Sequence, residues 1–349
     1  MDKVKIGFVG VGFMGQVAHL RNYAVLPECE VVAVCELREE LGRKVAARYG
    51  VPRVCTDHVH MLEAEELDGI VAAQPFTRHA TLVPDLLRAG VPVFIEKPLA
   101  ASVQAAERIV EAVEQSGTWL MVGYHKRSDP AVSWAKEEIG RLKASGEIGP
   151  MRYVRILMPA GDWIAGGSAG LIRTDEKVPA LPADPPAPDM DADTYRAYVE
   201  FVNYYIHQIN LMRYVLGELY AVTYADPSGV VLAVQSESGV PGVIEMSPYE
   251  TSVAWQESVL VAFKRGYVRI ELPAPLASNR PGTVEVMKDT GDGATPQTIS
   301  PQLPWVHAMR CQAERFVRAI RGEEPPPCEA AEALEDLRMA RDYIRMLRT

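Results

Sequence analysis

A glycine fingerprint stands near the start of the chain, directly after a short apolar stretch. Val4–Val9 is typical of a buried strand, and the next six residues read G-V-G-F-M-G before an amphipathic stretch begins. Glycines at this turn let the backbone approach a pyrophosphate, and the following helix N-terminus offers it N–H groups and a positive dipole end. The pattern therefore predicts a dinucleotide site built on Gly10, Gly12, Phe13, Met14 and Gly15.

The second strand indicates which dinucleotide is bound. Glu30–Val34 is typical of a strand, and Glu36 lies just past its end, 21 residues after Gly15. A carboxylate near this spacing binds the adenosine ribose in such folds and repels a 2′-phosphate. Arg38 follows two residues later and weakens that repulsion. We expect NAD, with NADP less favoured; the alternative is that Glu36 is a solvated loop carboxylate.

Strands and helices alternate over the first third of the chain. The predicted strands are Val4–Val9, Glu30–Val34, Arg53–Cys55, Gly69–Ala73, Val91–Ile95 and Trp119–Val122. The predicted helices are Gly15–Leu26, Arg38–Tyr49, Thr77–Ala89 and Val103–Gln115. Apolar strands that alternate with helices imply a parallel sheet covered on both faces. We predict an α/β fold with an NAD(P)-binding Rossmann domain over residues 1–124, built on a doubly wound parallel sheet.

Residues 125–349 have a different pattern. The predicted helices are Ala131–Ser145, Asp193–Leu216, Trp305–Arg321 and Ala330–Leu347. The predicted strands are Met151–Met158, Tyr220–Ala225, Val230–Ser236, Gly242–Met246, Ser258–Phe263, Tyr267–Glu271 and Thr283–Met287. Short glycine turns between several strands favour hairpins. We predict an α+β domain with a large, mostly antiparallel sheet for substrate binding and oligomerisation.

Composition excludes several classes of protein. The net charge of −10 comes without any basic block, which argues against nucleic acid or an anionic membrane as a partner. No apolar run is long enough to span a bilayer, and the first strand begins too early to leave room for a signal peptide. The 5 cysteines show no C-x-x-C pairing, which fits reduced thiols and no metal site. We expect a cytoplasmic protein.

A lysine follows the fifth predicted strand, in the tripeptide Glu96-Lys97-Pro98. Ligands of open α/β sheets bind outside the carboxyl ends of the strands. Lys97 is therefore placed to touch a nicotinamide or a substrate oxygen, where a cation stabilises a developing alkoxide. The alternative is a surface lysine at a strand end.

Four polar residues form one stripe on the helix Asp193–Leu216. They are Asn203, His207, Asn210 and Tyr214, spaced by 4, 3 and 4 residues. If the stripe lines a cleft, His207 is a candidate acid/base, because an imidazole pKa near ~6.5 suits proton exchange with an alcohol. Asn203, one turn earlier, is then placed to orient the ring. The alternative is a structural histidine.

Taken together, these motifs resemble those of the Gfo/Idh/MocA oxidoreductases, the group that includes glucose–fructose oxidoreductase and inositol dehydrogenase. The resemblance covers nearly the whole chain. It rests on the glycine motif, Gln74–His79, Glu96-Lys97-Pro98, Val122–Pro130 and the helix segment Ile206–Glu218. It implies cofactor contacts from Gln74, Pro75, His79, Glu96 and Lys97, beside the glycines, Glu36 and Arg38. It implies substrate contacts from Tyr124, Arg127, Trp163, Asn203 and His207.

The resemblance also implies a catalytic set, and here the chain departs from the family pattern. The family uses the lysine of E-K-P with an aspartate and a histidine four residues apart, which correspond to Lys97, Asn203 and His207. A later aspartate position is Asn210. An amide accepts a hydrogen bond from an imidazole but cannot stabilise the imidazolium by charge. Other sources of support are open, among them Tyr124, Tyr204 and Tyr205.

The segment Pro159–Asp193 is long and irregular, with six prolines, four glycines and seven acidic residues. Loops of this length are usually lids, arms or disordered segments. In the family this stretch lies near the substrate, where Trp163 would stack on a sugar and Asp162 or Arg173 would bond hydroxyls. The alternative is an arm between copies of the chain.

The resemblance implies an NAD-dependent dehydrogenase that acts on a secondary hydroxyl of a sugar, inositol or related polyol. Two alternatives stay open. One is glycoside cleavage assisted by transient oxidation with NAD. The other is a non-catalytic NAD-binding sensor, which the asparagines at positions 203 and 210 motivate. The resemblance further implies a homodimer or homotetramer joined through the second sheet.

Overall fold

The computed structural model describes residues 2–348, which divide into two compact units. Unit 1 contains the residues up to Tyr124, together with Ser168–Asn203 and Gln312–Arg338. Unit 2 contains His125–Gly167, Tyr204–Cys311 and the residues from Met339 onward. Unit 1 therefore takes in two segments that lie far from the first 124 residues in sequence. The predicted boundary after residue 124 stays a prediction.

Unit 1 is built on a six-stranded parallel sheet. Its strands are β1 Val4–Val9, β2 Cys29–Cys35, β3 Arg53–Cys55, β4 Gly69–Ala72, β5 Val93–Glu96 and β6 Leu120–Gly123. The strand order is β3-β2-β1-β4-β5-β6. The chain reverses its direction of winding between β1 and β4, and ligands of such sheets bind at that switch point.

Helices connect these strands. They are a π-helix over Gly15–Leu20, α1 Arg21–Tyr23, α2 Glu39–Tyr49, α3 His58–Ala64, a 3-10 turn over Phe76–Arg78, α4 His79–Leu87 and α5 Val103–Ser116. Two features differ from the prediction. The helix after the glycine motif is mostly π-helical and ends at Tyr23, and α3 was not predicted. The signal for α3 is Asp57, whose side chain accepts a hydrogen bond from the His60 N–H, as N-caps do.

Unit 2 is built on an eight-stranded sheet. Its strands are β7 Met151–Ala160, β8 Tyr220–Ala225, β9 Val231–Ser236, β10 Pro241–Glu250, β11 Glu257–Phe263, β12 Gly266–Leu272, β13 Thr283–Lys288 and β14 Gln297–Ile299. The order is β14-β13-β12-β11-β7-β10-β9-β8; β7 and β10 pair in parallel, and the other neighbours are antiparallel. The predicted fold class is therefore confirmed for both sheets. Strand β14 was not predicted, because it has only three residues and all of them are exposed.

The remaining helices are a 3-10 turn over His125–Ser128, α6 Pro130–Ser145, α7 Ala192–Leu216, α8 Ala308–Ile320 and α9 Ala330–Arg348. The residues of α7 up to Asn203 belong to unit 1, and the rest belong to unit 2. Helix α8 begins three residues later than predicted. The reason is a tight turn before it, in which the Val306 N–H donates to the Pro304 carbonyl.

The core of unit 1 includes residues from the far end of the chain. Phe316 of α8 is fully buried and meets the rings of Phe94 and Trp119 edge-on, at centroid distances of 5.8 and 5.6 Å. Tyr23 packs on the same ring at 6.4 Å. Aromatic side chains bury large apolar areas and favour edge-to-face geometry, so a single residue of α8 joins three elements of unit 1.

Candidate active site

The glycine turn has a backbone that other residues could not adopt. Gly10 has a φ of +93°, and a Cβ there would strike the Gln74 side chain and lie 2.7 Å from the Ala73 carbonyl oxygen. A Cβ on Gly15 would strike the Gly10 carbonyl. Gly12 is different, because its nearest neighbour would be the Arg38 guanidinium at 3.4 Å. The turn is closed on the protein side and open at Gly12, a shape that fits a pyrophosphate group. Phe13 and Met14 are half-buried beside it.

Glu36 is held against this turn. Its carboxylate accepts a hydrogen bond from the Val11 N–H at 3.0 Å and one from the Arg38 Nε at 2.7 Å, and the residue is 6% exposed. The Arg38 backbone N–H donates a third hydrogen bond to this carboxylate at 3.3 Å. A carboxylate has about four acceptor positions, so these three bonds leave capacity for one ribose hydroxyl. The positions of Glu36 and Arg38 fit the predicted adenosine end of a dinucleotide.

Lys97 lies just past the carboxyl end of β5, at the same edge of the sheet. Its Nζ donates a hydrogen bond to the backbone carbonyl oxygen of Asn203 at 2.6 Å, a contact within unit 1. The Lys97–Pro98 peptide bond is cis. The structure thus brings two of the three predicted catalytic residues together, through the backbone of Asn203.

His19 is a neighbour of Lys97 that sequence reasoning missed. Its Nε2 lies 2.6 Å from Oε1 of the buried Glu96, and Oε2 of the same carboxylate accepts the Lys97 N–H at 3.1 Å. Burial raises the pKa of Glu96, but the hydrogen bond and charge of His19 and the charge of Lys97 lower it below its ordinary value. The charged carboxylate therefore joins His19 to the backbone of Lys97. A possible sequence signal was the position of His19 in the helix after the glycine motif.

Of the other residues predicted on the cofactor side, Gln74 contributes the side chain that packs on Gly10, and Pro75 is exposed. His79 is fully buried, with its Nδ1 3.1 Å from the Leu99 carbonyl oxygen and its Nε2 3.2 Å from that of Gln74. Burial lowers the pKa of His79. These contacts give His79 a structural role in supporting the Gln74 loop.

In unit 2, the predicted acid/base residue packs against a second histidine. The rings of His207 and His125 meet edge-on with centroids 4.5 Å apart. His207 is half-buried on α7, and His125 is buried in the 3-10 turn that opens unit 2. Because one imidazole rests on the other, His125 restricts the rotation of the His207 ring. The sequence offered no signal for this pairing.

Two members of the predicted polar stripe hold an arginine. The Nε of Arg127, a residue 2% exposed, donates to Oδ1 of Asn210 at 2.8 Å, and its guanidinium lies 4.7 Å from the centre of the Tyr214 ring. Asn210 therefore acts as an acceptor for a buried cation. Tyr124, a predicted substrate contact, is buried in unit 1. The assignment of Arg127 and Tyr124 to substrate stays a prediction.

Beside Arg127 lies a buried ion pair that was not predicted. Lys126 donates to Oε2 of Glu257, which also accepts the Trp255 Nε1 at 3.2 Å, while Gln208 Nε2 donates to Oε1 at 2.7 Å. Burial lowers the pKa of Lys126, although the charge of Glu257 opposes that shift. The Glu257 carboxylate therefore holds three side chains together within unit 2.

The irregular segment Pro159–Asp193 is ordered in two parts. Trp163 belongs to unit 2 and is 36% exposed, and its carbonyl oxygen accepts the Leu276 N–H at 3.1 Å. Asp162 accepts the N–H groups of Ile164 and Ala165, both at 3.0 Å, so its carboxylate stabilises a local turn. The role of Trp163 toward a sugar stays a prediction.

The second part, residues 170–184, is called the strap from here on and lies on unit 1. Ile172 and Gln16 exchange two hydrogen bonds, at 2.9 and 3.2 Å. Asp184 accepts the Ala80 N–H at 2.9 Å and the Thr81 hydroxyl at 2.8 Å, at the start of α4. The strap therefore packs along unit 1, against the helix that follows the glycine turn and against the start of α4. Whether the segment acts as a lid or as an arm between copies stays a prediction.

Over residues 2–348, the structure contains no cluster of histidine, cysteine or acidic side chains suited to hold a metal ion. In the same range, no helix has the length and apolar character that a membrane crossing requires.

The comparisons with known proteins agree with this geometry. Residues 4–124 match the family model GFO_IDH_MocA, described as an oxidoreductase family with an NAD-binding Rossmann fold. The D-apiose dehydrogenase of Paraburkholderia graminis is 26% identical, over 97% of this chain and 86% of that protein. The inositol 2-dehydrogenase of Rhizobium meliloti is 25% identical, over 93% of this chain and 91% of that protein. The solved structure of an oxidoreductase domain protein from Kribbella flavida matches with a TM-score of 0.76 at 21% identity, over 100% of this chain and 98% of that chain.

The glycine turn, the strand order and the comparisons point to one class of protein: residues 4–124 match the Gfo/Idh/MocA family of oxidoreductases, and relatives that align over nearly the whole chain are named dehydrogenases. By class it is an NAD(P)-dependent dehydrogenase. The resemblance predicted from the sequence motifs is thereby confirmed.

Proposed function

We propose that this enzyme transfers a hydride between NAD and a secondary hydroxyl or ketone of a sugar, inositol or related polyol. The observation that carries the proposal is the hydrogen bond from Lys97 Nζ to the Asn203 carbonyl. This bond supports the proposal because it joins a lysine that follows β5 to α7, the helix on which His207 follows Asn203 by four residues. The names of the full-length relatives, a D-apiose and an inositol dehydrogenase, support the substrate class.

The residues of unit 1 that would hold the cofactor are those of the glycine turn, with Glu36 for the adenosine ribose. The Glu36 carboxylate accepts a ribose hydroxyl and repels a 2′-phosphate, which favours NAD over NADP. Arg38 neutralises part of that charge at 2.7 Å and reduces the preference. When bound, the nicotinamide accepts or delivers the hydride.

The proposed chemistry of the chain's own residues is a charge and proton relay to the substrate oxygen. The Lys97 ammonium stabilises negative charge on that oxygen as the proton of the substrate hydroxyl leaves. His207 takes or returns the proton, as an imidazole does efficiently near neutral pH. His19 and Glu96 hold the Lys97 backbone, and His125 limits the rotation of His207.

Asn203 changes how the histidine is supported. The amide cannot stabilise an imidazolium by charge, so the enzyme lacks the carboxylate that family members place there. We propose that the contact of His207 with His125 supplies orientation in its place. This predicts a proton-transfer step that is slower than with a carboxylate, and Asn203→Asp should raise kcat.

The test is an incubation of the purified protein with NAD and a panel of sugars, inositols and glycosides. We expect NADH and an oxidised product from one substrate group. Lys97→Ala should lower kcat by about 10³ and leave NADH affinity within a factor of three, because it removes stabilisation of the transition state only. Lys264→Ala, at an exposed turn, is the matched control.

Either of two outcomes would contradict the proposal and establish a different function. Cleaved glycoside without net NADH would establish elimination assisted by transient oxidation, since such a cycle regenerates NAD. Tight NAD binding, with no turnover in the panel and no effect of His207→Ala on any measured property, would establish a sensor. The asparagines at positions 203 and 210 motivate the sensor alternative. Asn210 is weaker support for it, because its side chain accepts a hydrogen bond from Arg127.

We further propose that residues 1–124 form the cofactor domain and residues 125–349 the domain for substrate and assembly, in a cytoplasmic enzyme. The assembly would be a dimer or tetramer of the chain, joined through the eight-stranded sheet. One face of this sheet carries an Arg155–Glu245 ion pair at 2.7 Å among half-buried side chains such as Leu157 and Leu260. Sedimentation velocity will give the mass, and a monomer at micromolar concentration would contradict this assembly.

A further inference from the structure

Glu176 of the strap caps a helix that is remote from it in sequence. Its Oε1 accepts the Glu40 N–H at 3.1 Å and its Oε2 accepts the Leu41 N–H at 2.9 Å, across 135 residues of chain. Thr174 donates its hydroxyl to the same carboxylate at 3.2 Å. The helix α2 has Arg38 at its own N-cap position, which makes no side-chain capping bond. The strap therefore supplies the acceptor that this helix start lacks.

The start of α2 is a place where an anion is stabilised. The first N–H groups of a helix have no partners inside it, and the helix dipole adds positive character there. The Arg38 guanidinium adds a full positive charge, 2.7 Å from Glu36 and next to Gly12. Without Glu176, Arg38 and the helix start would together attract a phosphate.

This location matters because α2 follows the strand whose end carries Glu36. A 2′-phosphate on the adenosine ribose would be recognised just past that strand, by an arginine and by available N–H groups. Both features are present in this chain, and both face a carboxylate: Glu36 pairs with Arg38, and Glu176 takes the N–H groups of Glu40 and Leu41.

We propose that Glu176 is a specificity-determining residue, which selects NAD against NADP by filling the helix start that a 2′-phosphate would use. The inference rests on the proposed function, in which Glu36 faces the ribose of NAD. It adds a second acidic determinant, contributed by the strap and not by the nucleotide-binding motif.

The charge state of Glu176 is consistent with this role. Partial burial raises the pKa of its carboxyl, but the hydrogen bonds from Glu40, Leu41 and Thr174 and the charge of Arg38 lower it below the ordinary value. The group is therefore an anion at neutral pH. A phosphate would have to displace it and would meet its negative charge, and like charges brought together are strongly disfavoured.

The experiment compares the affinities of NADH and NADPH for the full-length protein by calorimetry. Glu176→Gln should tighten NADPH binding about tenfold, because one negative charge is lost and an amide is a weaker competitor for the N–H groups. NADH affinity should stay within a factor of two. Glu176→Asp keeps the charge and should keep most of the preference for NADH.

Two control variants separate this role from general effects. Asp175→Asn removes the same charge from the neighbouring exposed strap position and should leave the affinity ratio unchanged. Asp184→Asn weakens the strap where it meets α4 and should change both affinities alike. An unchanged ratio in Glu176→Gln, or an equal shift in Asp175→Asn, would overturn the inference. Wild-type protein that prefers NADPH, or binds neither cofactor, would instead refute the proposed function.

Discussion

The two units carry their functional groups in different ways. Unit 1 presents a backbone turn, in which the constraint is steric and the participating residues lie within six positions of one another. Unit 2 presents buried charged side chains, and its central ion pair joins Lys126 to Glu257 across 131 residues. A steric requirement leaves glycines at fixed spacing, whereas a buried charge requires only some partner of opposite charge at any distance in sequence. A cofactor site is therefore readable from local sequence, and a polar cluster of this kind is not.

The largest expected effect is in unit 2. Glu257→Gln leaves Lys126 buried without a counter-charge, and breaking a buried ion pair costs roughly 3–5 kcal/mol of unfolding free energy. Urea denaturation measures the loss, with Glu250→Gln at an exposed strand end as the control. If the cofactor site depends on the glycine turn of unit 1 and not on this ion pair of unit 2, NADH affinity stays within a factor of two for the folded variant. A large change in affinity would contradict that distinction between the units.

A second effect in unit 2 depends on pH. The Asp129 carboxylate accepts the N–H groups of Ala131 and Gly282 at 2.8 and 3.0 Å, and burial raises its pKa to about 6. The folded state thus holds its proton more tightly than the unfolded state. The corresponding stability is present below the unfolded pKa and is lost as pH rises through 6, an effect of about 3 kcal/mol at 1.36 kcal/mol per pKa unit.

Asp129→Asn removes this titration. Its unfolding free energy, relative to the wild type, should therefore increase by about 3 kcal/mol between pH 3 and pH 7. Urea denaturation at the two pH values measures the change, and a parallel pH profile in the two proteins would show that Asp129 is not responsible.

In unit 1 the next effect is steric. Gly15→Ala places a Cβ against the Gly10 carbonyl and should weaken NADH binding about 100-fold, or ~2.7 kcal/mol, by forcing the turn apart. Calorimetry measures the affinity. Gly140→Ala is a matched control, because a Cβ at that helical position meets nothing within 4 Å. Equal affinities for the two variants would show that the turn is not the cofactor site.

The smallest expected effect concerns a side-chain contact inside unit 1, the unit whose functional group was described above as a backbone turn. It therefore refines the comparison between the two units. His19→Asn weakens the support of Glu96 for the Lys97 backbone and should lower kcat about tenfold, or ~1.4 kcal/mol, with KM little changed. Steady-state kinetics on the substrate that the panel identifies gives both constants. His60→Asn, at an exposed position, is the control, and a change confined to KM would exclude the positioning role.

Much of the fold could be predicted from sequence. Periodicity predicted all six strands of the parallel sheet and seven of the eight strands of the second sheet, with ends that differ by a few residues. The exceptions have physical reasons. The three residues of β14 are all exposed, and α3 is short, with one buried side chain, Met61. Neither leaves a strong hydrophobic pattern.

The site was predicted unevenly. Residues with a local signature, such as Gly10, Glu36 and Lys97, could be proposed from their spacing or from their position after a strand, and their roles stay predictions. His19, His125 and Glu176 were missed, because each acts through one partner that lies far away in sequence or on another element. A single such residue has no spacing from which its role can be inferred.

What the sequence by itself determined is the parallel sheet, the glycine turn and the resemblance to a family, since periodicity, steric limits on glycine and ordered motifs are all local properties of the chain. Only the tertiary structure decided that Phe316 completes the core of unit 1, that the strap lies along the nucleotide-binding half, and that Glu176 fills the start of α2. Those contacts join segments more than a hundred residues apart. They form because apolar surface has to be buried and helix N–H groups need hydrogen-bond acceptors. Whichever residues the folded chain brings near meet these two requirements.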